Sequence, residues 1–408
     1  MRKNVLMVII LVFCILVSGC SGAKNDEKNS KKDQNDPDTE ERVIIAVATY
    51  DRQDPEVRAF QNYFENYLAE CFPVDFLYPS SISSAEDEVY FINEAIDAGA
   101  KGIISFITYD LESTLKTCEK SGVYYMMGSG SIPKEDFEKA KTNPYFLGVI
   151  GPSEEMERDA GADMAAFFMK KQEEKPDSPA GYLLLSGGTK YNNAMHTYRT
   201  EAMLETLGFS PDQADTEEPV ILENENRKVC IIPGYPGEES TVQAAAQQLS
   251  TGEYSYVLDC CTIVNLLDTI KEAGKTTGMD IQTGTVDCFT SENLDAVHAD
   301  LLHYVIGKYP SLLGPSFAVM YNAVTGHADL YRNEDGTAFS IAQGFWKADS
   351  PEEYEKLYAL TTGIYVNAYD AGDLSKVINE ITPDARMEDL ISLTEAYSVE
   401  DVRARREQ

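Results

Sequence analysis

Apolar residues along this chain fall into two alternating patterns. Short unbroken runs rich in β-branched residues, such as Val43-Ile44-Ile45-Ala46-Val47-Ala48, read as strands covered on both faces. Between the runs, apolar positions recur every third or fourth residue, as at Val57, Phe60, Phe64 and Leu68, the stripe of a helix lying on a sheet. Strands are predicted at 43–48, 74–78, 103–107, 123–127 and 146–150, with helices over 57–68, 84–98 and 111–121 between them. Glu86-Asp87-Glu88 sits where acids complement the helix dipole, and Gly122 sits where a helix ends. The alternation then restarts. Strands are predicted at 181–185, 229–232, 256–260 and 282–287, with helices from Ser153 to about 171 and over 193–207, 240–249 and 263–273, the last ending at Gly274. The expected fold class is therefore α/β, with two doubly wound parallel-sheet lobes.

In such sheets, ligands bind beyond the carboxyl ends of the strands. That rule selects Tyr50, Asp51 and Arg52, then Tyr109 and Asp110, in the first lobe. In the second it selects Ser186, Thr189 and Asn192 in and after a glycine turn, and Cys261 after strand 256–260.

The first residues break the pattern. Arg2 and Lys3 precede an apolar run over 5–17 that ends in Val17-Ser18-Gly19-Cys20. A basic head, a short apolar core and small residues make a secretory signal, and a spanning helix would need about 20 apolar residues. The small residues before cysteine resemble a bacterial lipobox, so 1–19 is expected to be a signal peptide and Cys20 the lipidated residue. Residues 20–41 then form a linker too polar to bury a core, with a reach of roughly 25 Å as a flexible coil. The protein is expected outside the cytoplasm, held to a bacterial cell membrane by lipid.

The part beyond the linker exceeds what one ordinary core holds, which again favours two lobes. A formal net charge of −34 excludes nucleic acid as a partner, because phosphate contacts need clustered Lys and Arg. Cys71, Cys118, Cys230, Cys260, Cys261 and Cys288 lack zinc-site spacing and disulfide-scaffold density, and sequence alone pairs none of them. They read as buried thiols. His298 and His303 are not spaced as a metal pair, no G-x-S-x-G elbow is present, and Ser186-Gly187-Gly188-Thr189-Lys190 is no phosphate loop. No metal or cofactor is expected, and no catalytic residue.

Several stretches resemble the type 1 periplasmic binding proteins of the ribose-binding-like class. They are Ile92-Asn93-Glu94-Ala95-Ile96-Asp97-Ala98-Gly99-Ala100-Lys101-Gly102-Ile103-Ile104, Leu147-Gly148-Val149-Ile150 before a Glu-rich helix, and Gly187-Gly188 to Gly208-Phe209 with Arg199 and Glu201. Gly284-Thr285-Val286-Asp287 and Tyr309-Pro310 with Leu313-Gly314 extend the likeness, which covers about 43–346. It implies two lobes joined by a three-crossover hinge: 43–151 plus 304–336, and 152–303 plus 337–346, followed by a C-terminal helical extension over 347–408. It adds Asp287 as a contact for ligand hydroxyls. It implies a monomeric solute-binding protein that hands a small polar ligand, sugar-like or nucleoside-like, to an ABC permease; a sensor subunit facing a membrane receptor is the alternative, and a secreted enzyme a third. Two departures bear on the ligand. Pro55 is followed by Glu56 and Val57 rather than stacking aromatics, and Cys260-Cys261-Thr262 replaces a polar pair. The extension is expected to dock on the second lobe and to fray from Val399.

Overall fold

The computed structural model describes residues 42–175, 181–362 and 368–406; the expected signal peptide, Cys20 and the linker lie outside them. Six strands form the first sheet: β1 (Val43–Ala48), β2 (Val74–Leu77), β3 (Gly102–Ser105), β4 (Tyr124–Gly128), β5 (Phe146–Gly151) and β12 (Phe339–Ala342). Their order is β12-β5-β4-β3-β1-β2, and every pairing is parallel. Seven strands form the second: β6 (Gly181–Leu185), β7 (Val220–Glu223), β8 (Lys228–Ile232), β9 (Tyr256–Asp259), β10 (Gln282–Val286), β11 (Tyr304–Gly307) and β13 (Trp346–Ala348). Their order is β13-β11-β10-β9-β6-β8-β7, parallel except for the β7–β8 and β11–β13 pairs.

Helices cover both faces of each sheet, so the central strands are apolar throughout, as parallel sheets require. Ile45, Ala46, Val47 and Ala48 are all inaccessible to solvent. Helix Gly314–Asn322 lies so close to the first sheet that a Cβ on Gly102 would stand 2.1 Å from the Met320 sulfur. Helix ends follow local chemistry. Ser84 and Ser153 cap the helices that follow them, accepting from the amides of Asp87 and Met156. Of the acids opening helix Ala85–Asp97, Glu88 turns inward and is fully buried, where its Oε2 accepts from the Tyr109 amide at 2.8 Å. The helix expected to stop at Gly274 continues to Thr277, and Gly278 closes it with φ 74°.

Strand pairing moves the later lobe boundaries. Tyr304–Gly307 pairs with β10 and stays in the second lobe, whereas Phe339–Ala342 pairs with β5 and belongs to the first. The expected assignments of 304–336 and 337–346 are displaced accordingly. The single strand expected over 339–346 is two, in different sheets, joined by Gln343, Gly344 and Phe345.

The extension also differs from expectation. Helix Pro351–Ala359 packs on Ser291–His298 of the second lobe, but Ala371–Ser375 and Met387–Glu395 pack on Gly314–Asn322 of the first. Asn322 Nδ2 donates to the Val377 carbonyl at 2.8 Å, and the Tyr63 hydroxyl donates to the Tyr369 carbonyl at 2.6 Å. At the crossovers the Tyr309 ring stacks 3.9 Å from Trp346 and 6.4 Å from Tyr369. Trp346 Nε1 donates to the Tyr397 carbonyl at 2.7 Å. The C-terminal segment does not fray: Val399–Arg406 is helical, and its arginines close on the fully buried Asp373, Arg405 Nε at 3.3 Å and Arg406 through Nη2.

Candidate functional site

The carboxyl ends of the two sheets face each other, and the residues that meet there are mostly ionisable. From the first lobe, Asp54 caps helix Pro55–Tyr63, accepting from the Glu56 amide at 2.8 Å and from the Tyr50 hydroxyl at 3.1 Å. Burial and then the Glu56 charge push Asp54 up to about 6. Glu56 itself reaches across and pairs with Lys308, which follows β11, at 2.8 Å. Arg58 on the same helix pairs with Glu292 of the second lobe. The lobes are thus held together at this end by ion pairs joining residues remote in sequence.

Asp287 stands at the end of β10. By surface area it is only half-buried, yet it lies deep in the cleft, and the enclosing protein raises it to about 8, with the Glu56 and Asp54 charges adding to the effect. Its Oδ1 accepts from the Cys288 amide at 2.7 Å and its Oδ2 from Asn293 Nδ2 at 2.9 Å. It does not cap the next helix. Thr290 does, accepting from the Asn293 amide at 3.1 Å. Tyr50 is likewise raised well above the usual phenol value, first by burial and then by Glu56, Asp54 and Asp287, so both lobes act on one hydroxyl.

Tyrosines occupy the other side of the cleft. Tyr191 stacks on Tyr235 with centroids 5.7 Å apart, and Glu238 accepts from the Tyr191 hydroxyl at 3.0 Å and from Lys190 at 3.2 Å. Tyr109 of the first lobe is half exposed, and burial raises the Tyr235 phenol to about 12. Exposed tyrosine faces are costly to leave against water and suit a ligand with one apolar face and polar edges.

Among the residues expected from sequence, Asp287 acts on Tyr50 across the lobes, and Tyr109 and Cys261 both lie near Tyr235. Asp51 and Arg52 point away: Asp51 accepts from the Gln53 amide, and Arg52 lies over the Tyr78 ring at 5.6 Å and donates to Gln61. Asp110 is occupied as a helix cap, accepting from the Ser113 amide at 3.1 Å. Ser186 and Thr189 are buried within the glycine turn, Thr189 donating to the Ser186 carbonyl at 2.7 Å, and Asn192 is exposed at its end with φ 60°. His298 and His303 have separate partners, Glu355 and Thr283. Sequence reasoning missed Asp54, Glu56, Lys190, Tyr191, Tyr235 and Lys308. Most of them stand within a few residues of a strand end, which was the available signal. A cavity of about 330 Å³ lies where the first crossover passes between the lobes, lined by Ser131, Lys134, Ser153, Glu154 and Tyr198 among others, and none of the residues expected in the site reaches it.

No family model and no curated protein matches the sequence. Solved structures do match. A galactofuranose binding protein superposes with a TM-score of 0.57 at 13% identity, over 78% of this chain and 98% of its own. An ABC transporter solute binding protein from Agrobacterium vitis with bound D-fucose gives 0.56 at 14% identity, over 78% and 99%. One from Bacillus halodurans C-125 with bound myo-inositol gives 0.55 at 12% identity, over 78% and 98%. The fold is that of the type 1 periplasmic binding proteins. Within that fold, the interlobe space at the strand carboxyl ends is where Tyr50, Asp54, Glu56, Asp287 and Lys308 meet.

Proposed function

We propose that this chain is a lipid-anchored, extracytoplasmic solute-binding protein that closes its two lobes around a small polyhydroxylated ligand and hands it to an ABC permease. The supporting observation is the convergence of ionisable and aromatic groups from both lobes at the carboxyl ends of the strands. Asp287, Asp54 and Glu56 accept hydrogen bonds from ligand hydroxyls, Lys308 donates, and the tyrosines cover an apolar ring face. No bond in the ligand is made or broken; binding favours the closed arrangement by its differential affinity for it. Structural neighbours with bound D-fucose and myo-inositol support a ligand of this class. Glu56, paired with Lys308 where sugar binders of this class carry an aromatic, supports a polar contact rather than a stacking one at that position.

The test is to release small molecules from freshly purified protein by denaturation, identify them by mass spectrometry and return them to the refolded chain in a calorimeter. A saturable heat with one polyhydroxylated compound supports the reading. Chemical conversion of that compound on incubation would replace it with an enzymatic one.

A further inference from the structure

On the second-lobe side of the cleft, the His196 imidazole and the thiols of Cys260 and Cys261 form a compact group in which one donor atom of each lies within 4.8 Å of the others. The histidine comes from the first turn of helix Ala194–Leu207 and the cysteines from the end of β9. All three converge on Gly187, which has φ 53°. A Cβ there would stand 2.7 Å from the imidazole nitrogen and 2.9 and 3.0 Å from the two sulfurs. Only glycine leaves that space open to three soft donors.

A second observation points the same way. Asp259, the last residue of β9, is fully buried; its Oδ1 accepts from the Cys261 amide at 3.0 Å, while its Oδ2 has no hydrogen-bond partner. A buried carboxylate oxygen without a donor or cation is costly. The adjoining cation does not serve it. Arg199 is paired with Glu157 and donates to the Cys260 carbonyl at 2.8 Å.

We infer that His196, Cys260 and Cys261 form a binding site for one thiophilic divalent cation of the zinc type, with Asp259 beside it. Zinc–sulfur bonds of about 2.3 Å and zinc–nitrogen bonds of about 2.0–2.1 Å set tetrahedral donors about 3.5–3.8 Å apart, a separation these side chains reach by small rotations. Nδ1 now accepts from the Gly188 amide at 2.8 Å, which identifies the tautomer carrying its proton on Nε2. That tautomer presents Nδ1 as a lone pair, and the cation takes the place of the Gly188 N–H. Each thiol releases its proton to solvent on binding, and the resulting thiolates neutralise the dication. The inference does not depend on which solute the cleft holds.

Reduced protein titrated with Co²⁺ and then with Zn²⁺ tests it. The expected result is one Co²⁺ per chain with intense thiolate-to-metal charge-transfer absorption and tetrahedral d–d bands, displaced by Zn²⁺. Cys260→Ser and Cys261→Ser should each weaken uptake by about tenfold or more, whereas His303→Gln should leave it unchanged. The wild-type spectrum decides the matter even where a serine variant folds poorly. Absence of the charge-transfer band, or uptake that persists in a folded double serine variant, would overturn the assignment. So would reduced protein that takes up no metal although its aerobic form carries a Cys260–Cys261 disulfide, since the pair would then be a redox couple.

Discussion

Asp287 carries two consequences that separate a binding role from a merely structural one. Leaving a buried hydrogen-bonding group without its partner costs about 1–3 kcal/mol, so Asp287→Ala should weaken ligand binding by roughly one to two orders of magnitude in a calorimetric titration. Its thermal stability should stay near that of the wild type, because losing the bonds from Cys288 and Asn293 is offset by removing a carboxylate from an enclosed site. A variant that melts early and binds normally would contradict the contact. The second consequence concerns pH. Asp287 is raised from 3.8 to about 8, so between those values the folded protein holds a proton that the unfolded chain has released. Its effect on stability is therefore unfavourable as pH rises through that window, and levels off above about 8. Asp287→Asn should flatten this dependence: from about pH 5 to about pH 8 its melting temperature should fall less than that of the wild type. Parallel melting curves would mean that Asp287 titrates normally. The place of Asp287 just beyond β10 was legible in sequence because the residue follows a strand in a resembling context. The Glu56–Lys308 pair was not, since nothing local tells an acid beside a proline that its partner lies beyond β11.

At the scale of elements, continuous apolar runs announced the parallel strands, and glycine and serine at helix ends announced most of the turns between them. β7 escaped because Val220-Ile221-Leu222-Glu223 is an edge strand, half-exposed along its length and formed only by pairing back on β8. The crossovers escaped for a related reason: no local pattern states which sheet a short strand will join, so β11 and β12 are assigned by packing alone. The extension shows the same limit. Its terminal helix looked charged and unsupported, yet the fully buried Asp373 anchors Arg405 and Arg406. Asp373→Ala removes the buried carboxylate that both arginines close on, although Arg406 keeps its pair with Asp370, and should cost on the order of 3 kcal/mol, read from urea melts. A loss below about 0.5 kcal/mol, the range of ordinary surface substitutions, would show the helix to be loosely held. Trp346→Ala removes the ring that stacks on Tyr309 and meets Phe289 edge-on, and leaves the Tyr397 carbonyl without its donor. A loss of about 3–5 kcal/mol is expected, together with a hinge that is easier to open.

For the whole molecule, the two lobes are joined by three crossovers and by an extension packed on both of them, so any opening would have to work against that added connection. The β12–β13 crossing touches the extension directly, with Gln343 Nε2 donating to the Tyr369 hydroxyl at 2.9 Å and Gly344 lying against the Tyr397 ring. Outside the described residues, the proposed anchor makes its own prediction: Cys20→Ala should abolish labelling by a radioactive fatty acid and release the protein from membranes. Labelling that persists would place the lipid elsewhere or remove it from the account. The proposed function requires that the lobes close on a solute. Small-angle X-ray scattering of the soluble chain, stripped of ligand and then saturated with the compound it carries, tests that most directly. A smaller radius of gyration and a narrower distance distribution are expected in the saturated state. Identical profiles at saturation would contradict it.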